Sequence, residues 1–346
     1  MKILVTGGAG FIGSSLIRKL LQNKENQVIN IDKLTYSGNL DNLKLISNNK
    51  NYFFYKSDIC DEKTISKILL DHNPNCIFHL AAESHVDRSI AKPYNFMISN
   101  IMGTYHLLEA TRDFYNKKND KEKNIFRFIH VSTDEIYGEL KREDEAFTEE
   151  SQIAPNSPYS ASKASSNHIA RSYYKTYGLP ITITNCSNNY GPYQNPEKLI
   201  PRIIMCALNG NKLPVYGKGE QIRDWIYVDD HSEALIQISK NGNIGENYNI
   251  GSQNEICNLD LVKKICYILD EKMPEIQNSF DVKCKSFFDL ISFVDDRPGH
   301  DFRYAINSDK IYSDIGWKAS KNIDDGLLIT VQWYLNNSDW LKDHEN

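Results

Sequence analysis

A glycine-rich stretch close to the N-terminus constrains the fold more than any other feature of the sequence. Residues 6–13 read TGGAGFIG, which satisfies both the GxGxxG and the GxxGxxG pattern. The stretch follows an apolar run typical of a strand, Lys2–Thr6, and precedes an amphipathic run typical of a helix, Ser14–Leu21. Glycines at such a turn let the backbone approach a pyrophosphate, which then lies at the positive end of the helix. The stretch therefore predicts a dinucleotide site on an α/β fold.

The first half of the chain alternates short apolar runs with segments of helix length. The predicted strands are Lys2–Thr6, Gln27–Ile31, Tyr52–Lys56, Cys76–Leu80, Phe126–Ser132 and Ile181–Asn185. The predicted helices include Ser14–Leu21, Glu62–Asp71 and Tyr159–Tyr177. This alternation predicts βαβ units and a doubly wound parallel sheet, the Rossmann fold.

The second half of the sequence has a different pattern, because Pro, Gly and Asn separate shorter predicted elements there. We therefore expect a dinucleotide-binding Rossmann domain over residues 1–188 and a smaller substrate-binding region over residues 189–346. The boundary is soft, since the sixth predicted strand returns to the sheet just before it.

An acidic residue at the end of the second predicted strand indicates which dinucleotide binds. Asp32 comes 19 residues after Gly13. Its carboxylate suits a ribose diol and repels a 2′-phosphate, so the sequence favours NAD over NADP. Lys33 is a basic neighbour that would weaken this repulsion. Asp58 and Ile59 follow the third strand, where they would bracket the adenine, although Asp58 alone is equally typical of a turn.

Composition and charge argue against several other classes of protein. The net charge is −5 and no basic face is evident, so we expect no nucleic-acid partner. The seven Cys contain no CxxC pair, which argues against a metal site and favours reduced thiols in a cytoplasmic protein. The N-terminus begins with a strand, which leaves no room for a signal peptide, and no apolar run approaches bilayer length. We therefore expect no membrane association.

A Tyr–Lys pair follows the glycine-rich loop by roughly 150 residues. Residues 159–163 read YSASK, and a spacing of four puts Tyr159 and Lys163 on one face of a helix. A Tyr with a pKa of ~10 is a poor base, but a Lys cation and the positive ring of NAD⁺ favour the phenolate. The phenolate can take a proton from a hydroxyl while hydride leaves the same carbon. YxxxK alone arises by chance among 20 Tyr, but after a dinucleotide loop it indicates dehydrogenase chemistry.

Two adjacent acids end the fifth predicted strand, within the sequence STDEIYG at residues 132–138. The two acids, Asp134 and Glu135, come directly after Thr133. They offer one base to remove a proton α to a ketone and one acid to protonate a departing hydroxyl. Such a pair eliminates water if the two pKa values differ, and burial beside a negative charge raises one of them. The alternative is a solvated strand-end pair or a helix N-cap.

The glycine-rich loop followed by YxxxK resembles the short-chain dehydrogenase/reductase superfamily, extended type. Longer stretches are similar to the branch of that superfamily that dehydrates dTDP-glucose: DKLTYSGNL (32–40), HLAAESHVDRSI (79–90), STDEIYG, SPYSASKASSNH (157–168), NCSNNYGPYQNPEKLIPR (185–202), LPVYGKGEQIRDWIYVDDH (213–231) and DDRPGHD (295–301). The resemblance implies a Rossmann fold, retained NAD, the substrate dTDP-glucose, and a homodimer formed through the YxxxK helix and its neighbour.

The resemblance also implies a catalytic cycle. Thr133 holds the C4 oxygen and Tyr159 deprotonates it, while hydride passes from C4 to NAD⁺. Glu135 removes the C5 proton, Asp134 protonates the C6 hydroxyl, and water leaves. The hydride returns to C6, C5 is reprotonated, and Lys163 supports Tyr159 throughout. The product is dTDP-4-dehydro-6-deoxy-glucose, a precursor of deoxysugars such as rhamnose.

Further positions are carried over from the resemblance. The implied cofactor-binding residues are Gly7, Gly10, Phe11, Ile12, Gly13, Asp32, Lys33, Thr35, Asp58, Ile59, Leu80, Ala81, Ala82, Ser84, Tyr159, Lys163 and Asn189. The implied substrate-binding residues are Ser84, Thr133, Asn188, Lys198, Leu199, Arg223, Asn258, Arg297 and His300. Arg223 and Arg297 would contact the diphosphate, because a planar guanidinium matches paired phosphate oxygens. Asn100 and Asn189 are either structural or cofactor-facing.

Three rival functions remain open. A nucleotide-sugar 4-epimerase would share the loop and YxxxK but would have no use for Asp134 and Glu135. Dehydratases of UDP-, CDP- or GDP-sugars share the chemistry and differ in the nucleotide pocket. A non-catalytic NAD-binding scaffold predicts loss of the catalytic residues. The segment Lys272–Phe288 is longer than the resemblance implies, which leaves the path to Arg297 and His300 open.

Overall fold

The computed structural model describes residues 1–273 and 285–342. Most of the longer segment Lys272–Phe288, residues 274–284, lies outside these residues. The strands are β1 (Lys2–Thr6), β2 (Gln27–Asp32), β3 (Tyr52–Lys56), β4 (Cys76–His79), β5 (Arg127–Thr133), β6 (Ile181–Cys186), β7 (Asn188–Tyr190), β8 (Leu213–Tyr216), β9 (Ile222–Tyr227), β10 (Asn247–Ile250), β11 (Glu255–Cys257) and β12 (Ile291–Val294).

Helices connect these strands. The α-helices are α1 (Phe11–Leu20), α2 (Glu62–His72), α3 (Val86–Ala91), α4 (Pro93–Phe96), α5 (Gly103–Asn116), α6 (Asp120–Ile125), α7 (Pro158–Tyr177), α8 (Leu199–Leu208), α9 (Val228–Asn241), α10 (Asn258–Lys272), α11 (Asp309–Ile315), α12 (Ile323–Asn336) and α13 (Ser338–Lys342). Short 3₁₀ helices span Leu40–Ile46, Asp134–Tyr137 and Phe287–Leu290, and a π-helical turn spans Met97–Met102.

The centre of the molecule is a seven-stranded sheet in the order β10-β6-β5-β4-β1-β2-β3. Every neighbouring pair in it is parallel. The strand order reverses direction between β1 and β4, and ligands of such sheets bind at the carboxyl ends of the strands on either side of that point. The predicted α/β class with a doubly wound parallel sheet is confirmed.

Two apolar clusters cover the two faces of this sheet. Leu4 points into the cluster formed with α2, α5 and α7, whereas its neighbours Ile3 and Val5 point into the cluster formed with α1, α9 and α11. Strands buried on both faces are apolar along their whole length, which is why the first half of the sequence shows continuous apolar runs. A third cluster, around Tyr190 and Tyr334, forms the core of the second half.

The seventh strand of the large sheet, β10, was not predicted. It is four residues long, and it pairs with β6 at Asn247↔Ile183 although it comes from the second half of the chain. A division at residue 188 would separate these two neighbours, so the position of the domain boundary stays a prediction. Helix α1 starts at Phe11, three residues earlier than predicted, because the glycine-rich turn already supplies its N-cap at Gly10.

Two smaller sheets of the second half, β11-β9-β7 and β12-β8, complete the fold. Strand β7 follows β6 after one residue and pairs with β9 at Asn188↔Trp225, so the second half is joined to the sheet at its carboxyl edge. Over residues 1–273 and 285–342, no helix is both long and apolar enough to cross a bilayer.

Packing on both faces makes the central strand sensitive to truncation. Leu4 is fully buried, and Leu4→Ala should lower the free energy of unfolding by about 2–5 kcal/mol, because a cavity remains that the sheet cannot close. The matched change Leu45→Ala removes a side chain that is 81% exposed and should stay within about 0.5 kcal/mol of the unmodified protein. Urea unfolding of both variants measures the difference. Equal losses would contradict the assignment of β1 to the centre of the core.

Candidate active site

The glycine-rich turn forms a cradle of a size and charge that fit a pyrophosphate. Gly7 has φ +72°, and a Cβ there would lie 2.7 Å from the Ala81 backbone. A Cβ on Gly13 would lie 2.2 Å from the Gly7 carbonyl oxygen, so only glycine lets α1 approach the turn. The first turn of α1 carries no acidic residue that would repel an anion. The partial positive charge of the helix N-terminus therefore faces the turn unopposed.

Asp32 lies at the carboxyl end of β2 and is held by the backbone. Its two carboxylate oxygens accept hydrogen bonds from Ala9 N at 2.9 Å and from Leu34 N at 2.8 Å. Burial raises the pKa of Asp32, and these two N–H groups oppose the rise. Lys33 Nζ lies 2.6 Å from Asp58 Oδ2. The Lys33 charge is therefore already paired, and it weakens the selection against a 2′-phosphate less than its position in the sequence indicated.

The predicted cofactor-binding residues, with one exception, line a single cleft that runs from the glycine-rich turn to Tyr159 and Lys163. Residues that sequence reasoning did not select also line it: Ile31, Ser37, Gly38, Ser57, Glu83, Ser99, Val131, Ser132, Gln194, Asn195 and Glu197. The last three belong to the stretch NCSNNYGPYQNPEKLIPR, so the resemblance marked the segment but not these side chains. A cleft with a glycine-rich cradle at one end and a ribose-type carboxylate beside it fits an NAD molecule.

Asn189 is the exception and does not line that cleft. It is buried in β7, where its Nδ2 donates to Ser187 O at 3.0 Å and its Oδ1 lies 2.8 Å from His231 Nδ1. Both polar atoms of the Asn189 side chain are thus bonded to other residues of the protein, which fits a structural residue rather than a cofactor-facing one. Asn100 is also buried, and its amide bonds both backbone groups of Glu83 and the Ser162 hydroxyl. It ties the loop after β4 to α7.

Helix α7 brings Tyr159 and Lys163 to the sheet edge. The helix is capped by Ser157, whose side chain accepts from Ser160 N, and Pro158 occupies its first turn. Lys163 Nζ donates to Val131 O at 2.8 Å, and burial lowers the pKa of Lys163 to about 8. The ammonium is therefore anchored to the end of β5, one helical turn from the phenol.

The phenol of Tyr159 retains its proton more strongly than the sequence indicated. Burial raises the pKa of Tyr159 well above its usual range, the charge of Glu135 adds to the rise, and a contact with the Thr133 hydroxyl opposes it. Lys163 is not among the main influences on this pKa in the protein alone. The expected stabilisation of the phenolate by Lys163 together with the positive ring of NAD⁺ therefore stays a prediction.

Of the two acids predicted at the end of β5, Asp134 is buried and Glu135 is half-buried. Thr133 caps the 3₁₀ turn that follows, accepting from Glu135 N and donating to Asp134 Oδ1, both at 3.3 Å. Asp134 is 2% exposed. Asp134 Oδ2 and Glu135 Oε2 are both buried, with no hydrogen-bond partner among the described residues. The alternative of a solvated pair is wrong, and the cap residue is Thr133 rather than either acid.

The surroundings of the two acids differ in charge. Burial raises the pKa of Asp134 well above its usual range, and the negative charges of Glu135 and Asp224 add to the rise. Burial also raises the pKa of Glu135, but the positive charges of Arg297, Arg223 and Lys198 oppose it, in that order. Asp134 therefore holds a proton more firmly than Glu135 does, which is the asymmetry an acid–base pair requires.

Several predicted substrate-binding residues gather around Glu135. Lys198 Nζ donates to Ser84 O at 2.9 Å, and Leu199 begins helix α8 directly after it. Arg223 is buried under the Tyr304 ring, and its Nη atoms donate to the carbonyls of Ile222 and Asp301 at 2.7 and 2.8 Å. These bonds occupy part of the guanidinium fork, so the predicted diphosphate contact of Arg223 stays a prediction.

The remaining predicted residues border the same region. His300 Nδ1 lies 2.6 Å from Asp296 Oδ1, and burial lowers the pKa of His300 to about 4. Asn188 Oδ1 and Asn258 Oδ1 are buried with no hydrogen-bond partner in the described part of the chain. Buried polar atoms without a partner are rare in folded proteins and are a common feature of ligand sites. Both amides are therefore candidates for ligand contacts.

A dinucleotide cradle joined to a Tyr–Lys pair and a buried acid pair defines an enzyme of the extended short-chain dehydrogenase/reductase class. Residues 4–330 match the family described as GDP-mannose 4,6 dehydratase. The chain is 53% identical to a dTDP-glucose 4,6-dehydratase of Shigella flexneri, over 99% of this chain and 95% of that one. The chain belongs to this family of nucleotide-sugar dehydratases, and within it to the dTDP-glucose 4,6-dehydratases.

Among the solved structures with a similar fold are dTDP-glucose 4,6-dehydratases. A dTDP-glucose 4,6-dehydratase of Bacillus anthracis in complex with NAD superimposes with a TM-score of 0.86 at 42% identity, with 100% of both chains covered. One from Streptomyces venezuelae, also with NAD bound, gives a TM-score of 0.88 at 40% identity with the same coverage.

The ion pair beside Asp32 leads to a prediction about cofactor choice. Asp58→Asn should release Lys33, and the free ammonium should raise the affinity for NADP relative to NAD about tenfold, because it attracts the 2′-phosphate. Asp32 should keep NAD the preferred cofactor. Calorimetric titration of nucleotide-free protein with each dinucleotide measures the ratio. Asp61→Asn, an exposed change three residues away that keeps a capping side chain, serves as the control. An unchanged ratio in the Asp58 variant would contradict the pairing.

Proposed function

We propose that the protein removes water from dTDP-glucose to give dTDP-4-dehydro-6-deoxy-glucose, a precursor of deoxysugars, with NAD retained between turnovers. The observation that carries the proposal is the acid pair at the end of β5, buried Asp134 and half-buried Glu135, next to Tyr159, which lines a cleft shaped for a dinucleotide. The relatives that are half identical over nearly the whole chain bear the name of this reaction.

NAD, when bound, supplies the hydride acceptor at C4, the hydride donor at C6 and a positive charge beside the phenol. The residues fitted to hold it are the glycines of the turn around its pyrophosphate and Asp32 at a ribose. Lys163, anchored on Val131 O, adds a second positive charge near the reacting end of the cleft.

Tyr159 takes the proton from the C4 hydroxyl. Burial raises the pKa of this phenol, so its phenolate is a strong base. Because the C4 ketone remains in the product, the proton that Tyr159 takes passes to solvent, and Asp134 regains a proton from solvent before the next turnover. The Thr133 hydroxyl lies between the phenol and the first carboxyl and can hold the C4 oxygen in line with Tyr159. Oxidation at C4 makes the C5 proton acidic, because the resulting carbanion is stabilised by the adjacent ketone.

Glu135 then removes the C5 proton, and Asp134 donates a proton to the C6 hydroxyl, which leaves as water. The charges support this division of roles: three cations oppose the rise in the pKa of Glu135, whereas the charges of Glu135 and Asp224 add to the rise in the pKa of Asp134. The bond electrons of C5–H form the C5–C6 double bond as the C6–O bond breaks. Glu135, now protonated, can return a proton to C5 when C6 receives its hydride.

The nucleotide side of the substrate would meet the polar groups that surround Glu135. Arg297, Arg223 and Lys198 supply positive charge for the diphosphate, and His300 is a neutral neighbour of Arg297. Asn188 and Asn258 offer buried amides without partners among the described residues. Choice of dTDP over other nucleotides rests on the relatives rather than on any single contact.

The acid pair also weighs against the rival functions. An epimerase transfers hydride only from and to C4. Two buried carboxyl groups beside C4 would lower the stability of such an enzyme without a role in its reaction. A non-catalytic scaffold has no reason to keep the buried Tyr159, Lys163 and both acids.

We further propose a homodimer through α7 and α5, on which Tyr105 and Tyr177 are exposed. A cytoplasmic location is consistent with the free thiols of the cysteines in the described residues.

The acid pair gives a direct test of the reaction. Purified protein incubated with dTDP-glucose, without added NAD, should produce a sugar nucleotide lighter by one water, measured by mass spectrometry. Glu135→Gln should reduce this product by about a thousandfold or more, because an amide cannot remove the C5 proton. Asp134→Asn should still exchange the C5 proton with deuterated water but lose water slowly.

Glu143→Gln, which changes an exposed glutamate eight residues away, is the matched control and should react like the unmodified protein. An unchanged mass with the unmodified protein, both with and without added NAD, would overturn the proposed function. In that case a reaction that leaves the mass unchanged, such as epimerisation, would be examined by chromatography.

A further inference from the structure

We infer that Asp87 is a positioning residue that holds Arg297 across the mouth of the substrate site, an inference that rests on the proposed function. Asp87 was not among the predicted site residues, although it lies in the stretch HLAAESHVDRSI. Neither the catalytic cycle nor the cofactor site assigns it a role.

The Asp87 carboxylate receives two hydrogen bonds from the other half of the chain. Its Oδ1 accepts from Arg297 Nη1 at 3.1 Å, and its Oδ2 accepts from the Tyr216 hydroxyl at 3.3 Å. Each oxygen of the carboxylate thus has its own partner. Such an arrangement fixes the orientation of the carboxylate as well as its distance from the guanidinium.

These two bonds connect separate elements around the site. Asp87 lies on α3, which follows the loop that carries Ser84. Tyr216 ends β8, and Arg297 follows β12, the parallel partner of β8, with Tyr216 opposite Val294 in the ladder. Asp87 is therefore a point where the loop with Arg297 is attached to the first half of the chain, and the bond from Asn156 Nδ2 to Asp301 Oδ1 at 2.7 Å is another.

The remaining donors of Arg297 are left for another acceptor. Arg297 Nε is buried and has no hydrogen-bond partner among the described residues. Arg297 is also the largest of the positive influences on Glu135, so its guanidinium lies near the acid pair. A side chain held at Nη1 by a carboxylate, with a buried Nε–H that has no partner among the described residues, can donate to an anionic oxygen.

Other side chains of the loop that carries Arg297 make contacts that do not involve the Asp87 carboxylate. His300 and Gln221 both bond Asp296, at 2.6 and 2.7 Å, and the Tyr216 ring packs edge-on against His300 with 6.1 Å between the ring centres. These contacts hold the loop backbone when Asp87 is changed. Loss of the Asp87 carboxylate should therefore affect the Arg297 side chain more than the path of the loop.

The test uses the NAD-containing protein and steady-state kinetics with dTDP-glucose. Asp87→Asn should raise KM about tenfold, as expected for the loss of a charged hydrogen bond that orients a binding group, and should change kcat less than about threefold. Asp87→Glu, which keeps the charge, should recover part of the KM. Asp324→Asn, which breaks the exposed ion pair with Lys264, is the control and should leave KM unchanged.

A double-mutant cycle separates positioning from a general structural role. In the Arg297→Gln background, Asp87→Asn should add almost nothing to KM, because the group that it orients has been removed. Tyr216→Phe should raise KM in the same direction by a smaller factor. Thermal unfolding of each variant checks that the fold is retained.

An unchanged KM for Asp87→Asn, a fall in kcat with KM unchanged, or independent effects that multiply in the double variant would each overturn the inference. Each of these results is obtained with a protein that still dehydrates dTDP-glucose. Failure of the proposed function differs from all of them, since the unmodified protein would then yield no dehydrated product.

Discussion

Two carboxyl groups buried side by side at the carboxyl end of β5 are the constraint on which the rest of the site depends. Burying adjacent acids is unfavourable unless their charges are balanced or one of them remains protonated. Here burial and the charges of Glu135 and Asp224 raise the pKa of Asp134 well above its usual range, while three cations from the second half of the chain oppose the rise in the pKa of Glu135. The second half of the molecule thus contributes charge as well as covering the sheet edge, and the acid pair is complete only when both halves are present.

Sheet geometry brings the reacting groups together. The parallel pairing of β5 with β4 and β6 puts Thr133 and both acids at the same edge as the glycine-rich turn after β1 and Asp32 at the end of β2. Helix α7 then lies with Tyr159 and Lys163 over the end of β5, and Lys163 is held there by the Val131 carbonyl. One edge therefore combines redox chemistry and elimination. This matches a reaction in which the first hydride transfer creates the ketone that elimination needs and the second saturates the double bond that elimination leaves.

Sequence reasoning succeeded where the signal is local. The glycine-rich turn, Asp32, the acid pair and YxxxK each lie within a few residues, and their positions relative to strands and helices follow from periodicity. It failed where the outcome depends on contacts between distant residues: the pairing of β10 with β6, the bond of Asn189 to His231, and the carbonyl partners of Arg223. The pKa of Tyr159 likewise depends on burial and on the charge of Glu135, contacts that the YxxxK spacing does not show.

The central claim is that the two neighbouring acids hold opposite protonation states at neutral pH. Infrared difference spectra between the unmodified protein and each of Asp134→Asn and Glu135→Gln test it most directly. The account predicts that the Asp134 variant loses a protonated carboxyl stretch and that the Glu135 variant loses the paired stretches of an ionised carboxylate. Loss of ionised carboxylate bands in both variants, or the reverse assignment, would contradict the division into acid and base.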